Sequence, residues 1–396
     1  MPVKRVILHL GMPRAGSTSI QSTLFNNSEV LEKNGYRYLK EWGQNHLSTM
    51  HYLFSPFPVR PLDAGRFGRP VRDKKKRNKK AINKMLRVIE TTECETLILS
   101  GEYFHELYLD QTMENMKSFI EKYFHANNIE TTIFYIVRNP LTWIVSYVQQ
   151  TIMGRGYLNK SDDYFSTRIK QYKGVINLQK HFSDSLLLSK FEDICLDRDG
   201  LVGCFLKMIK FPEEELKNLN LIKTHGSKCA EAVEFIYYIE AVEPRFPGEN
   251  YKRFNLNRSS ADLRPLKSIR GTKFDLPYQG KVELWNRFQE AVHLLRENTG
   301  IDYTNYQIPP PFTQETYTEK TIQGFIDAFP NLSLVLQKHF LRFFEKKYME
   351  TAQEKFKQLH FKDSIPWKEY NCKSTFLSLL NLRVRNKLRK FKNSTT

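Results

Sequence analysis

The chain has 396 residues, of which 40% are hydrophobic and 13% aromatic, enough apolar material for a large core, so wholesale disorder is excluded. Lys and Arg number 61 against 43 Asp and Glu, and this net charge of +18 favours anionic partners without distinguishing a nucleotide from a polyanion. The five cysteines are scattered and odd in number, which argues against a disulfide framework or a structural zinc site.

The first residues of the chain predict a phosphate-binding loop. Residues 4–10 form an apolar run typical of a strand, a turn bounded by Gly11 and Gly16 follows, and a helical pattern covers 17–34. The glycine spacing matches the loop GxxxxGK[ST], but Ser17 stands where that motif has lysine. Unpaired N–H groups at a helix start favour an anion. The alternative interpretation is an ordinary strand-to-helix turn with Ser17 as its N-cap.

Several groups of this loop could contact a phosphate. Arg14 is the only cation in the loop, and its guanidinium fork suits bidentate phosphate contact. The remaining candidate donors are the backbone or hydroxyl groups of Ala15, Gly16, Ser17, Thr18 and Ser19.

Three further apolar runs predict strands, and helical patterns lie between them. The predicted strands cover residues 96–100, 131–137 and 186–191. The predicted helices cover residues 79–92, 111–125, 140–152 and 161–182. This alternation predicts an α/β protein with a P-loop-like, three-layer fold, in which helices flank a mainly parallel central sheet. Ligands of such sheets lie beyond the carboxyl ends of the strands.

Composition also suggests the domain organisation. Residues 1–305 are predicted to form the main domain, interrupted at 55–80 by an insertion that ends in the basic run 72–80. That run is either a solvated, self-repelling stretch or a site for a polyanionic acceptor. Residues 306–396 are predicted to form a basic, α-helical C-terminal extension.

A second possible phosphate site follows the strand predicted at 131–137. Arg138 comes directly after the strand, and Ser146 lies about two turns into a helix that Asn139 can cap and Pro140 can begin. Placed this way, a guanidinium and a hydroxyl can hold one further phosphate. Taken alone, the same residues are better explained as a surface cation and an ordinary helix residue.

Together, the two motifs resemble those of the sulfotransferases that use 3′-phosphoadenosine 5′-phosphosulfate (PAPS) as sulfuryl donor. In that family a PKxGTT-like loop holds the 5′-phosphosulfate, and an Arg followed eight residues later by a Ser holds the 3′-phosphate. Residues 12–19 are similar to that loop, with Arg14 at the usual lysine, and Arg138 and Ser146 have the spacing of the second motif. The resemblance covers residues 3–305. Weaker similarities to bacterial-type members lie at residues 99–102, 190–193 and 276–277.

The resemblance implies a PAPS-dependent sulfotransferase that transfers a sulfuryl group to an acceptor hydroxyl, with PAPS as co-substrate and no metal ion. The expected acceptor is a carbohydrate or glycan, acidic or neutral, with a lipid, a small metabolite or a protein tyrosine as open alternatives, and no specific nucleic acid is expected. No apolar stretch approaches the ~20 residues of a membrane helix, and a strand that begins by Val3 leaves no room for a signal peptide, so a cytoplasmic protein is expected. The oligomeric state stays open.

The resemblance also suggests catalytic roles. Arg14 is expected to neutralise charge on the leaving phosphate, and Glu102, just after a predicted strand, is the first candidate for the general base. His46 is the second candidate, and His51 and His105 are further possibilities. A basic loop around Arg258 or Arg270 is expected to close over the nucleotide.

Three other functions compete with this hypothesis. A nucleotide kinase would use the first loop as a Walker motif, but the lysine after Gly16 is absent and no predicted strand ends in an aspartate for Mg²⁺. A nucleic-acid-binding protein would explain the charge but not the loop. An inactive relative that binds the nucleotide as a scaffold is disfavoured by the intact phosphate motifs.

Overall fold

The computed structural model describes residues 3–56, 74–102, 106–155, 162–224, 228–244, 263–310 and 316–350. His105, Arg258, most of the predicted insertion and the chain after residue 350 lie outside the described residues.

A parallel sheet forms the centre of the fold. Its strands are β1 (Arg5–Leu10), β2 (Tyr36–Tyr38), β3 (Thr96–Gly101), β4 (Glu130–Val137) and β5 (Leu186–Lys190). They form a five-stranded sheet in the order β2-β3-β1-β4-β5, and every neighbouring pair is parallel. The α/β prediction is therefore confirmed. Strand β2 was not predicted because its three residues, Tyr-Arg-Tyr, contain no continuous apolar run.

Helices connect these strands and continue after them. They are α1 (Ser17–Asn26), α2 (Ser28–Lys33), α3 (Leu47–Phe54), α4 (Lys74–Thr91), α5 (Asp110–Tyr123), α6 (Pro140–Arg155), α7 (Asp162–Phe182), α8 (Phe191–Cys195), α9 (Gly200–Met208), α10 (Ala230–Val242), α11 (Tyr278–Thr299), α12 (Glu319–Ala328) and α13 (Leu334–Glu350). Among the described residues, no helix has both the length and the apolar character that crossing a bilayer requires.

The prediction of one helix over 17–34 is wrong, because Asn27 separates α1 from α2. The side-chain amide of Asn27 donates to the Thr23 carbonyl at 2.8 Å, and its Oδ1 accepts the Asn220 N–H at 2.8 Å. The bond from Asn220 ties Asn27 to a distant segment of the chain, and no local pattern predicts it.

The central strands form the core because their side chains are apolar on both faces. In β1, the side chains of Val6, Ile7, Leu8 and Leu10 are fully buried, as is the run 133–137 of β4. Burying one such side chain stabilises the fold by about 1.5–3 kcal/mol. The continuous apolar runs that predicted these strands are therefore also the reason that helices cover both faces of the sheet.

The chain forms two compact units. The first contains Met1–Tyr147, Asn159–Gly226 and Leu276–Pro311, and with them the whole sheet. The second contains Val148–Leu158, Ser227–Asp275 and Phe312–Thr396. Within the second unit, the buried ring of Phe235 on α10 contacts Phe325 on α12 and Phe340 on α13. The prediction of a helical C-terminal region is confirmed by α12 and α13 as far as residue 350.

Candidate functional site

The predicted phosphate motifs lie at the same edge of the sheet. Strand β1 leads through α1 and α2 to β2 on one side, whereas β4 leads through α6 and α7 to β5 on the other. The carboxyl ends of β1 and β4 therefore form a topological switch point, where ligands of parallel sheets bind. The loop 11–16 follows β1, and Arg138 follows β4.

The loop has the backbone conformation of an anion cradle. Arg14 and Gly16 have positive φ angles of 65° and 83°, and the N–H of Ala15 donates to the Met12 carbonyl at 3.2 Å. Helix α1 begins at Ser17, with Gly16 as its N-cap. In the described part of the chain, no backbone carbonyl accepts the N–H groups of residues 16–18. These N–H groups are the candidate donors to a phosphate.

Two glycines allow the loop to pack closely. A Cβ atom on Gly11 would lie 2.0 Å from Ser17 Oγ, and one on Gly16 would lie 2.3 Å from Leu201 Cδ1 on α9. The loop is therefore pressed against the start of α1 and against α9, and any larger residue at either position would force it to move.

The hydroxyl groups of the loop have different environments. Ser17 is buried, and its Oγ donates to the Met12 carbonyl at 3.2 Å. Ser17 is therefore not the N-cap of α1, and its N–H is the group that is left as a candidate donor. Ser19 Oγ accepts the Thr224 N–H at 3.0 Å, and the two hydroxyls are also 3.0 Å apart. Thr18 is half-buried. Among the three hydroxyls, that of Thr18 is therefore the main candidate donor to a phosphate.

Two side chains bind the loop directly: that of Trp143 on α6 and that of Arg138, which follows β4. The indole Nε1–H of Trp143 donates to the Pro13 carbonyl at 2.8 Å, and Nη1 of Arg138 donates to the Arg14 carbonyl at 2.5 Å. In the other direction, Nε of Arg14 donates to Ser146 Oγ at 2.9 Å. The two predicted phosphate motifs therefore form one connected site, and the loop cation contacts the serine that the sequence assigned to a different phosphate.

The position of Arg138 is fixed by its surroundings. Its Nε donates to Thr142 Oγ1 at 3.2 Å, and its guanidinium lies 4.6 Å from the ring centroid of Phe191. The Asn139 side chain accepts the N–H groups of Leu141 and Thr142 at 2.9 and 3.2 Å, which confirms it as the cap of α6. The head of α6 is thus rigid where it meets the loop.

Sequence reasoning missed the residues that support this arrangement. Glu192, just after β5, accepts the hydroxyls of Thr142 and Tyr303, each at 2.9 Å. The rule that residues after parallel strands form the site could have identified Glu192. Trp143 gave no such signal, because its role depends on where a distant loop lies.

Charge is concentrated at the site. Burial, followed by the nearby Arg138, lowers the pKa of Arg14, whereas the charge of Glu102 raises it. Burial also lowers the pKa of Arg138, against the opposing effect of Glu192. Two guanidinium groups that are partly buried beside each other repel, and a bound anion relieves that repulsion.

Glu102 lies directly after β3 at the same edge. Burial raises the pKa of its carboxyl group, and the Arg14 charge opposes that rise. A carboxylate with these neighbours combines proton affinity with proximity to a cation, as a general base beside a phosphate requires.

His46 has a different environment. Its side chain is fully buried and stacks on Tyr38 with ring centroids 4.7 Å apart, and its Nδ1 accepts the Ser100 N–H at 3.0 Å. Burial is the main cause that lowers the pKa of His46 to about 4, so its ring is neutral at pH 7. The other nitrogen, Nε2, is also buried and has no hydrogen-bond partner among the described residues. His46 therefore holds the start of α3 against the end of β3.

Two further candidates are His51 and Arg270. His51 is buried and its Nδ1 lies 3.2 Å from Glu106 Oε1, within an ion-pair geometry. Arg270 is an exposed residue of the second unit, so its expected place over a nucleotide stays a prediction.

No protein-family model matches this chain, and no curated protein sequence matches it. Among solved structures, a sulfotransferase from Alicyclobacillus acidocaldarius is 13% identical, with 76% of this chain and 98% of that chain covered and a TM-score of 0.41. A sulfotransferase domain from the curacin biosynthetic pathway is 15% identical, with 54% of this chain and 77% of that chain covered and a TM-score of 0.32. A retinol dehydratase in complex with androsterone and inactive cofactor PAP is 14% identical, with 77% of this chain and 83% of that chain covered and a TM-score of 0.31. At these identities and TM-scores the likenesses do not support a functional assignment, which has to come from the site residues.

The packing of the loop predicts the effect of one added methyl group. We expect Gly16→Ala to lower the free energy of unfolding by about 1–2 kcal/mol because residue 16 has a left-handed backbone conformation. The contact between the new methyl group and Leu201 should lower it further. Denaturant unfolding separates these two contributions when Gly16→Ala is combined with Leu201→Ala. In the double variant the contact with Leu201 is absent, and only the backbone contribution is left. The double variant should be more stable than the sum of the single changes predicts, and strict additivity would contradict the packing described.

Proposed function

We propose that this protein is a PAPS-dependent sulfotransferase that transfers a sulfuryl group to a hydroxyl of a carbohydrate or glycan. The observation that carries the proposal is the direct contact between the two predicted phosphate motifs: Arg138 donates to the Arg14 carbonyl, and Arg14 donates to Ser146. A donor that bears two separate phosphate groups requires two anion sites at a fixed separation, and these bonds fix one motif relative to the other.

The donor groups of the site fit such a nucleotide. The N–H groups of residues 16–18 would hold the 5′-phosphosulfate together with Arg14. Arg138 and Ser146 would hold the 3′-phosphate. Because Ser146 Oγ accepts the bond from Arg14 Nε, its own O–H proton is left to donate to a ligand oxygen. Arg14 would therefore act at both phosphates.

When bound, PAPS supplies a sulfuryl group whose S–O bond to phosphate breaks as the acceptor oxygen bonds to sulfur. Glu102 would accept the proton that the acceptor hydroxyl loses. Arg14 and the loop N–H groups would stabilise the negative charge that develops on the phosphate side, and their fixed geometry means that little reorganisation is needed.

Glu102 is favoured over His46 as the base because of what each side chain already binds. Nδ1 of His46 is occupied by the Ser100 N–H, and Nε2 is buried. The carboxyl group of Glu102 is close enough to Arg14 for the two charges to affect each other's pKa. We assign proton transfer to Glu102 and a positioning role to His46.

A nucleotide kinase is disfavoured by the same loop. The position of the Walker lysine is occupied by Ser17, whose hydroxyl is buried beneath Gly11 and bonded to the Met12 carbonyl. A side chain that points into the base of the loop does not reach the terminal phosphates of ATP, where that lysine acts.

The assignment of Ser146 predicts a change in nucleotide selectivity. Ser146→Ala should weaken binding of 3′-phosphoadenosine 5′-phosphate about tenfold, the effect of one lost hydrogen bond to a charged group, while adenosine 5′-phosphate should bind within about twofold of wild type. Isothermal titration calorimetry with both nucleotides measures the difference. Ser183→Ala, a change at an exposed serine, is the control. Equal losses for both nucleotides would show that Ser146 does not contact a 3′-phosphate.

The assignment of Glu102 predicts the pH dependence of the reaction. Proton transfer requires the carboxylate, so activity should fall on acidification, and burial places the midpoint of kcat/KM above the ordinary glutamate pKa of about 4.3. Glu102→Gln should lower kcat by about 10²–10⁴ and spare nucleotide binding, whereas Glu121→Gln, at an exposed glutamate, should change neither. Retained turnover in Glu102→Gln with an unchanged pH profile would transfer the role of base to a histidine.

A further inference from the structure

The first half of α4 carries an unbroken block of positive charge. Between residues 75 and 87 the sequence has seven Lys and Arg and no Asp or Glu. Four of these side chains are exposed near the start of the helix, and together they are called the basic face: Lys75, Lys76, Lys79 and Lys80. Like charges three or four positions apart on a helix repel, and a bound anion would relieve this repulsion.

The basic face lies at the same edge of the sheet as Glu102. Helix α4 leads into β3 and runs antiparallel to it, so its first turns lie near the carboxyl end of that strand. Helix α3 packs at the same end of β3: a Cβ atom on Gly101 would lie 2.7 Å from Met50 Sδ and 2.9 Å from the Leu47 N, both on α3. Helix α3 therefore packs on the end of β3, one residue before Glu102.

The same helix α3 holds the start of α4. The Arg77 guanidinium donates a hydrogen bond to the Tyr52 hydroxyl, and Arg77 Cζ lies 5.1 Å from the centroid of the Tyr52 ring. The Asn78 amide donates to the Tyr52 carbonyl at 2.7 Å. The lysines therefore lie on a helix whose start is held by α3, the helix that packs on the end of β3.

The other side of α4 narrows the class of partner. Its residues Ala81, Met85 and Ile89 are buried in the fold, so this apolar face is not available to enter a membrane. The helix also has no aromatic residue, whereas proteins that bind single-stranded nucleic acids stack bases on aromatic side chains. The basic face presents amines alone, which suits a flexible chain of sulfate or carboxylate groups.

We propose that the basic face binds an acidic glycan and so selects an acidic glycan as the acceptor class of the adjacent site. The acceptor part rests on the proposed sulfotransferase function, whereas glycan binding does not. Anionic groups of the chain would contact the lysines of α4 while an unmodified hydroxyl of the same chain lies near Glu102. Screening by salt should weaken this binding, because the lysines are exposed.

Binding of a fluorescently labelled, sulfated heparin hexasaccharide tests the proposal by anisotropy at about 0.1 M salt. One variant replaces all four lysines of the basic face by Gln. A matched variant removes the same charge at four exposed lysines on other elements: Lys33, Lys117, Lys122 and Lys217. We expect about tenfold weaker binding in the first variant and less than about threefold in the second.

Equal losses in the two variants would overturn the proposal, because the glycan would then respond only to net charge. Tighter binding of a single-stranded oligonucleotide of equal charge, with the same dependence on the four lysines, would also overturn it and assign the face to nucleic acid. Calorimetry with 3′-phosphoadenosine 5′-phosphate shows whether either variant is still folded and competent at the nucleotide site.

The two proposals fail in different ways. If the hexasaccharide binds through the basic face but no labelled sulfate is transferred from PAPS either to it or to a neutral oligosaccharide, the sulfotransferase function fails and the glycan-binding surface stands. If sulfate is transferred to a neutral oligosaccharide and the hexasaccharide does not bind, the sulfotransferase function stands and the basic face is not an acceptor site.

Discussion

Two backbone carbonyls of the first loop, those of Pro13 and Arg14, are held by side chains at the start of another βα unit, Trp143 and Arg138. Because the C=O and N–H of a planar peptide point in opposite directions, anchoring these carbonyls also sets the directions of the Arg14 and Ala15 amides, which lead into the candidate donors of residues 16–18. The bond from Arg14 to Ser146 closes the same connection from the other side. The positions of the loop donors, of Arg138 and of Ser146 therefore depend on one another.

This connection has an electrostatic cost that indicates its purpose. It brings two guanidinium groups together where burial lowers the pKa of each. Glu192 and Glu102 offset part of that cost, and Glu192 also accepts hydrogen bonds from Thr142 and Tyr303. A multiply charged anion would complete the compensation, and the basic face of α4 extends the same attraction along the sheet edge.

The sequence predicted most of the framework and part of the site. Continuous apolar runs identified four of the strands, and their parallel order places the residues that follow them, Arg138 and Glu102 among them, at one edge. It did not predict that Ser17 turns its hydroxyl inward or that His46 is buried against Tyr38. Nor did it predict Trp143 as an anchor of the loop. Each of these depends on contacts between segments far apart in the chain, which local patterns do not encode.

The central claim is that the loop and the Arg138–Ser146 pair together bind a nucleotide with phosphates at two positions. Its most direct test is calorimetric titration of the unaltered protein with 3′-phosphoadenosine 5′-phosphate and, separately, with ATP and Mg²⁺. The account predicts clearly tighter binding of the bisphosphate, since only that ligand places a phosphate at Arg138 and Ser146 while another occupies the loop. Preference for ATP with Mg²⁺, or binding of neither nucleotide, would contradict it.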